Sequence, residues 1–465
     1  MKLWGGRFES GPAELFERFS GSLHFDRRLL EADIVGSKAF ASALEREGIL
    51  TADERERIHV AFDELLAEAA QGDIVGDATD EDIHTFVIRK LEERAGDVAA
   101  KIHTGRSRNE QVATDFRLWM KQEIRGDQRR LVELMRALVD FARREPEALL
   151  PGYTHLRRAQ GVLWSHYLLA YFEMFARDWE RFEDAYRRTD VLPLGSGALA
   201  GSGFGFDREA IARDLGFSRI SANSLDIVSD RDFALDFLYA SSTAMLHVSR
   251  LAEDWILYTS EEFGFLEPGN EVTTGSSLMP QKRNPDALEL VRGKSGRVVG
   301  HLQALMVTLK GLPLAYNRDL QEDKEGVFDA ADHVAGSLEV LRLCVETTRV
   351  NGEVMEKAAA VSWTQATALA EFLARRGVPF HRSHQIVGAL VLESWKQGKK
   401  PSDWTLEGLK GIAPEFDEAA LELLSPRRAL ENHTPPGGTA PAPVERALEA
   451  AEQRLESMRA ACAAV

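Results

Sequence analysis

Cysteine is nearly absent from this chain of 465 residues: Cys344 and Cys462 are the only two. Two thiols so far apart leave neither a disulfide framework nor a Cys-rich zinc site, so both are expected to be reduced. Also missing is any apolar run long enough to span a bilayer, and the opening residues carry no apolar signal core. A soluble, cytoplasmic protein is the expectation. Positive charge is in short supply: 57 Lys and Arg against 74 Asp and Glu leave a formal net charge of -17. That balance argues against a nucleic-acid partner and against an anionic membrane, both of which want a basic surface. An anionic small molecule would need cations concentrated locally.

What the chain does have is 44% hydrophobic residues, enough to bury a large core in two or three domains. Its densest polar stretch is Gly275-Ser276-Ser277-Leu278-Met279-Pro280-Gln281-Lys282-Arg283-Asn284-Pro285-Asp286. It reads as a flexible loop feeding a helix, with Asn284 as N-cap, Pro285 as first helical residue and Asp286 favourable in the opening turn. Two hydroxyls, an amide and two cations then converge on a helix N-terminus, where free N–H groups favour a bound carboxylate. A polar cap with a solvated Lys-Arg pair explains the same residues.

Further polar stretches are spread along the chain. His103-Thr104-Gly105-Arg106-Ser107-Arg108-Asn109 reads as a ligand loop before a helix starting near Val112, although a phosphate site or an ordinary cap has the same composition. Pro151-Gly152-Tyr153-Thr154-His155 interrupts two helical patterns and places an imidazole on a loop at a helix end. Asp80-Glu81-Asp82-Ile83-His84-Thr85 brings carboxylates close to an imidazole, as a metal site would, but so does a capped helix start. Leu192-Pro193-Leu194-Gly195-Ser196-Gly197, continuing to Gly205, is glycine-rich yet lacks the Gly-Lys-Ser/Thr ending of a phosphate loop. Tyr316 to Glu325 is a polar run between two apolar-periodic helices, the usual pattern of solvated surface.

From about residue 112 the pattern becomes long and helical. Leu235, Leu238, Ser242, Met245, Ser249, Ala252 and Ile256 alternate spacings of three and four. Leu288, Val291, Ser295, Val298, Leu302, Leu305 and Leu309 repeat the rhythm, as do Val327, Ala331, Val334, Leu338, Leu341 and Val345. Such seams pack helices side by side at shallow angles, with small residues permitting close approach. A helix over 285–310 would be about 39 Å long at 1.5 Å per residue, which suggests an elongated bundle whose apolar stripes bring copies together. Elements shorten after about 362, where Pro and Gly become frequent. The reading is all-α: an N-terminal helical domain over 1–111, a central long-helix oligomerisation domain over 112–361 and a small C-terminal helical domain over 362–465.

The signature stretch resembles that of the fumarase and aspartase superfamily, whose members eliminate fumarate from substituted succinates, and its Gln-Lys-Arg-Asn-Pro-Asp half is most similar to the argininosuccinate lyase family, which includes the delta-crystallins. Trp4-Gly5-Gly6-Arg7-Phe8 resembles the N-terminus of that family, so the likeness runs from Trp4 to Thr439. It implies substrate contacts at Ser22, His84, Arg108, Asn109, Thr154, Lys282 and Asn284, and recognition of the amino-acid portion by Tyr316, Gln321 and Lys324. It also implies a catalytic role for His155, with Glu289 pairing to it. No metal and no cofactor are implied. The implied assembly is a homotetramer around a bundle of twenty helices, with active sites shared between subunits. Glu110, where many relatives carry Asp, and Arg157 and Gly161, where they commonly carry Gln and Pro, depart from the pattern.

The implied chemistry is reversible elimination of L-arginine from argininosuccinate, the last step of arginine biosynthesis. A weakly acidic proton leaves beside a carboxylate, and a carbon–nitrogen bond breaks on the neighbouring carbon. Charge builds on that carboxylate as it becomes an aci-carboxylate, and preorganised donors relieve it; losing one costs about 2.7 to 4 kcal/mol in barrier. Thr154, Lys282, Asn284 and the helix terminus supply such donors. Ser276 is the expected base and the His155 side the expected acid, with the assignment open. An unassisted serine is a poor base, so its alkoxide needs cations and backbone N–H groups around it. Two other readings stay open: another fumarate-releasing lyase, acting on malate, aspartate or adenylosuccinate, and a non-catalytic bundle of the lens-crystallin kind.

Overall fold

The structure is a computed structural model describing residues 11–72, 76 and 80–463; the Trp4–Phe8 motif lies outside them. The described chain is helical almost throughout, as the long 3.6-residue periodicities demand. Its helices include α1 (Leu30–Arg46), α2 (Ala52–Ala69), α3 (Ile83–Ala95), α4 (Arg108–Arg144), α5 (Trp164–Thr189), α6 (Asp232–Thr259), α7 (Asp286–Leu309), α8 (Glu325–Thr347), α9 (Ala366–Arg375), α10 (Phe380–Gln397) and α11 (Pro441–Ala463). Among the described residues, strands occur only as three two-stranded antiparallel pairs. The all-α class read from the sequence therefore holds.

Helix boundaries follow local chemistry. Thr51 and Glu54 form a reciprocal capping box, with the Thr51 hydroxyl 3.2 Å from the Glu54 N–H and the Glu54 carboxylate 3.0 Å from the Thr51 N–H. The Asp82 carboxylate accepts the Thr85 N–H at 2.7 Å and opens α3.

The chain divides into two compact units, each made of three stretches. The first comprises Met1–Asp127, Glu180–Thr243 and Gly296–Val334; the second comprises Gln128–Trp179, Ala244–Ser295 and Ala335–Val465. In the first unit Phe116 meets Phe233 edge-on at 5.3 Å, and Trp119 meets Phe328 at 4.6 Å. In the second, Phe141 packs edge-on against Trp164 at 5.6 Å and Trp255 at 6.2 Å. Each fully buried aromatic side chain of this kind stabilises by about 1.5 to 3 kcal/mol relative to exposure. The second unit also holds a smaller core of Leu369, Leu373, Leu390, Trp404, Leu409 and Phe416.

The seams of α6 and α7 are buried over part of their length, with Leu235, Ser249 and Ile256 on α6 and Ser295, Leu302 and Leu309 on α7 only half-buried. Leu238, Met245 and Ala252 on α6, Leu288, Val291, Val298 and Leu305 on α7, and all six seam positions of α8 are buried. Outside the seam α7 also leaves large apolar side chains open, with Leu290 62%, Met306 56% and Val307 61% exposed.

Candidate functional site

The residues singled out by sequence fall into two sets, one in each unit. In the first unit, Ser22 is buried and its hydroxyl donates to Asp26 at 2.6 Å; Asp26 also accepts the Ile83 N–H at 3.0 Å. Ser22 is thus tied to the start of α3, which carries His84. Burial raises the Asp26 carboxyl above its ordinary range. The Arg108 guanidinium pairs with Asp82; burial works against the Asp82 charge, but Arg108 and then His84 outweigh it and hold that carboxyl far below the usual range. Arg108 and Asn109 do not lie in a loop before the helix, as the sequence reading had it. They form the first turn of α4, because Ser107 accepts the Asn109 N–H on its hydroxyl at 3.2 Å and the Gln111 N–H on its carbonyl at 3.2 Å.

The polar run from Tyr316 to Glu325 is not simply solvated. Asp323 is buried and paired with both Arg231 and Lys324, the latter at 2.6 Å, and the Lys324 ammonium lies 5.6 Å from the centre of the Phe116 ring. Gln321 donates to the Ser20 carbonyl at 3.0 Å, as does Arg318, which also reaches Glu81 at 2.7 Å. Tyr316 is half-buried, and desolvation raises its phenol. Gln321 and Arg318 are thus bonded to the turn that leads into Ser22, while Lys324 is fixed by Asp323.

Beneath Arg108 the interior is densely charged. The His84 Nδ1 is buried 3.4 Å from an oxygen of Asp33 and 3.4 Å from one of Asp115. Among the described residues this trio alone has a metal-ligand donor set, with its atoms within 4.8 Å of one another. Burial and the Asp33 charge push the Asp115 carboxyl well up, whereas burial of Asp33 is outweighed by His84 and Arg106, which bring its carboxyl down. The pair is accordingly suited to hold one proton next to a guanidinium. A divalent ion would have to displace that proton against the Arg106 charge, so the donor set fits proton sharing better than metal binding.

Sequence reasoning set Glu110 aside, and the structure gives it a central place. It is fully buried, accepting the Ser107 N–H at 2.9 Å and the Gly197 N–H at 2.9 Å. The spacing Ser107-x-x-Glu110 is that of a capping box, the signal that could have found it. Asp26 and Asp323 carried no comparable signal, because Ile83 and Arg231, which bind them across the fold, are remote in sequence.

In the second unit, the stretch around Thr154 and His155 is a hairpin rather than a loop at a helix end. Strands β1 (Leu149–Thr154) and β2 (Arg157–Leu163) pair antiparallel, and His155 and Leu156 form the two-residue turn with φ of 56° and 55°. Two positive φ values suit the right-handed twist of a hairpin. For residues with a Cβ they store about 1 to 3 kcal/mol each, a strain that clusters at functional sites. Despite Arg157 and Gly161, α5 starts directly at the end of β2, where the Leu163 N–H donates to the Thr439 hydroxyl at 2.9 Å and the Trp164 N–H to the Ala148 carbonyl at 2.8 Å.

The signature stretch is tied at its base by strands β3 (Thr274–Gly275) and β4 (Arg283–Asn284). Asn284 is therefore a strand residue, and α7 begins one residue later than expected, at Asp286, with the Pro285 carbonyl accepting the Glu289 N–H at 3.1 Å. Within the loop the Ser276 hydroxyl accepts two backbone N–H groups, from Leu278 at 3.2 Å and Met279 at 3.0 Å. Lys282 and Glu289 are exposed, as is His155, and within this chain Glu289 and His155 form no ion pair. A hydroxyl held by two N–H donors faces the partial positive charge of both.

Comparison with known proteins shows the family of the chain. Residues 6–300 match the family model described as lyase, and residues 363–431 match the one for the argininosuccinate lyase C-terminal region. The argininosuccinate lyase of Solibacter usitatus is 62% identical over 98% of this chain and 99% of its own length. That of Moorella thermoacetica is 48% identical over 99% of each. Among solved structures, EDDS lyase in complex with formate superposes with a TM-score of 0.83 at 24% identity, covering 98% of this chain and 92% of that one. The 3-carboxy-cis,cis-muconate lactonizing enzyme of Pseudomonas putida does so with a TM-score of 0.74 at 19% identity, covering 96% and 100%. At these identities the structural likeness concerns the fold.

Proposed function

Because the chain belongs to the argininosuccinate lyase family, we propose that its two sets of polar residues divide the family's reaction into substrate holding and proton transfer. The protein is a carbon–nitrogen lyase that eliminates L-arginine from argininosuccinate and releases fumarate, the last step of arginine biosynthesis. The Ser276 hydroxyl with its two backbone N–H donors carries the mechanistic reading. Ser276, as alkoxide, takes the carbon-bound proton next to the substrate carboxylate. The electron pair of that C–H bond moves onto the carboxylate to give the aci-carboxylate, whose charge Lys282, Asn284, Thr154 and the N-terminus of α7 stabilise. Collapse of the aci-carboxylate forms the fumarate double bond and breaks the carbon–nitrogen bond. The guanidino nitrogen departs with a proton from the His155 side, and Glu289 orients that imidazole. Strain at the His155 turn supports its place in this scheme.

Holding falls to Ser22, His84, Arg108 and Asn109 for the succinate part and to Tyr316, Gln321 and Lys324 for the arginine part. The reaction needs no metal or cofactor in this scheme. The protein works in the cytoplasm as a homotetramer whose active sites draw residues from several subunits. Support comes from the exposed Leu290, Met306 and Val307 on α7 and from Tyr239 and Leu246 on α6, 54% and 52% exposed, which association would cover. The match of residues 363–431 to a separate C-terminal model supports a domain boundary near 362; the boundary near 111 rests on the sequence pattern.

The test is release of fumarate from argininosuccinate, followed by absorbance with a metal chelator present and no added cofactor. Equal amounts of fumarate and arginine are expected. Mixed tetramers of inactive His155→Asn and Ser276→Ala chains regain activity if sites are shared; verified mixing without recovery overturns the sharing.

A further inference from the structure

The glycine-rich stretch is held from two sides by charge, by the buried Glu110 and the half-buried Arg208. On one side Glu110, fully buried, accepts N–H groups from Ser107 at 2.9 Å and from Gly197 at 2.9 Å. On the other side the Arg208 guanidinium donates to the carbonyls of Leu194 and Leu192, both at 3.1 Å, and to the hydroxyls of Ser221 at 2.6 Å and Ser196 at 3.1 Å. A carboxylate only accepts and a guanidinium only donates, so the two satisfy opposite halves of one buried backbone. The glycines make this approach possible. Gly195 and Gly197 have φ of 89° and 62°, and a Cβ on Gly197 would stand 2.9 Å from the Gly201 carbonyl oxygen. Beyond Gly197 the loop emerges at Ala198, whose carbonyl takes the Asn109 amide at 3.3 Å.

We propose that Glu110 is a positioning residue for the reaction: by bonding Ser107 and Gly197 at once, its carboxylate sets the spacing between the helix turn bearing Arg108 and Asn109 and the glycine-rich loop. That spacing fixes the Asn109 amide against Ala198 and with it the donor that Asn109 presents to substrate. The proposal rests on the reading that Asn109 binds a substrate carboxylate. The carboxylate has to reach in two directions, so side-chain length matters as much as charge. An aspartate, one methylene shorter, keeps the Ser107 cap and loses Gly197. A glutamine keeps the length and turns an NH2 towards one of the N–H donors.

The experiment measures kcat, KM for argininosuccinate and Tm for Glu110→Asp, Glu110→Gln, Asn109→Ala and the Glu110→Asp/Asn109→Ala double variant. Leu455→Ala, a buried core change on α11, is the control for general destabilisation. Glu110→Asp is expected to raise KM about tenfold with kcat changed less than about threefold, while Leu455→Ala lowers Tm and leaves KM alone. In the double variant KM should equal that of Asn109→Ala, because the two residues act as a unit. Glu110→Asp with an unchanged KM, or effects that multiply, overturns the proposal. Should Glu110→Asp fail to fold, Glu110→Gln is read by the same criteria. If Asn109→Ala leaves KM unchanged, the binding role of Asn109 fails by itself. Hydrogen exchange then decides for Glu110: a faster Gly197 amide in the Glu110 variant supports its hold on the loop, and an unchanged rate removes it.

Discussion

Ser22, His84 and Lys324 in the first unit are buried and engaged with other side chains, whereas His155, Lys282 and Glu289 in the second stand exposed on turns or helix faces. Polar groups of the first kind have already lost their water and are packed against fixed partners, so they hold one geometry before substrate arrives. Groups of the second kind keep their hydration and their rotamer freedom. Their electrostatics strengthen only when something covers them, whether substrate or another subunit. Holding and chemistry thus have different physical costs: changes in the first unit should register as stability and KM, and changes in the second as kcat.

The largest expected effect lies in the second unit. Ser276→Ala removes the proposed base and should lower kcat by about three decades or more, roughly 4 kcal/mol in barrier, with circular dichroism and Tm unchanged. Undiminished turnover would take the serine out of the mechanism. Next is Asp323→Ala in the first unit, which leaves Arg231 and Lys324 buried without their shared carboxylate. A loss of about 3 to 5 kcal/mol in stability is expected from denaturant unfolding; a change below 1 kcal/mol would show that the triad is dispensable.

A smaller effect concerns pH. Burial, followed by the Arg106 and Arg108 charges, pushes the His103 imidazole down to about 3. Between there and the ordinary value of about 6.5 the unfolded chain binds a proton that the folded chain refuses. Stability from this group is therefore complete above the unfolded value and lost as pH falls. About 2 kcal/mol should disappear between pH 7 and pH 5, and His103→Gln should lack that slope. Equal slopes in the two proteins would contradict the assignment. The smallest expected shift is in the stability of Lys282→Ala, within about 0.5 kcal/mol because the side chain is exposed, while its kcat falls by two to three decades. A Tm drop comparable to that of Asp323→Ala would erase the contrast between the units.

The residues legible in advance were those whose meaning is local. Helical seams on α6, α7 and α8 follow from a period of 3.6, and the signature stretch announced itself by composition within twelve residues. The misplacements were local competitions. Asn284 and Pro285 have the residue types of a helix start, but pairing of Asn284 with Thr274 moved the start to Asp286. Pro151 to His155 looked like a loop at a helix end because a short hairpin shows the same break in helical periodicity.

From the amino-acid order alone come the all-α class and the family of the reaction, because periodicity, capping and motif wording are properties of neighbours along the chain. Tertiary structure decided the rest. It buried Asp323 between Arg231 and Lys324, placed Glu110 under Gly197 and packed His84 against Asp33 and Asp115. Apart from that of Asp323 with its neighbour Lys324, these pairings join residues tens of positions apart, and what selects them is the cost of leaving a charge or an N–H group unpaired away from water. Sequence spacing does not record that cost.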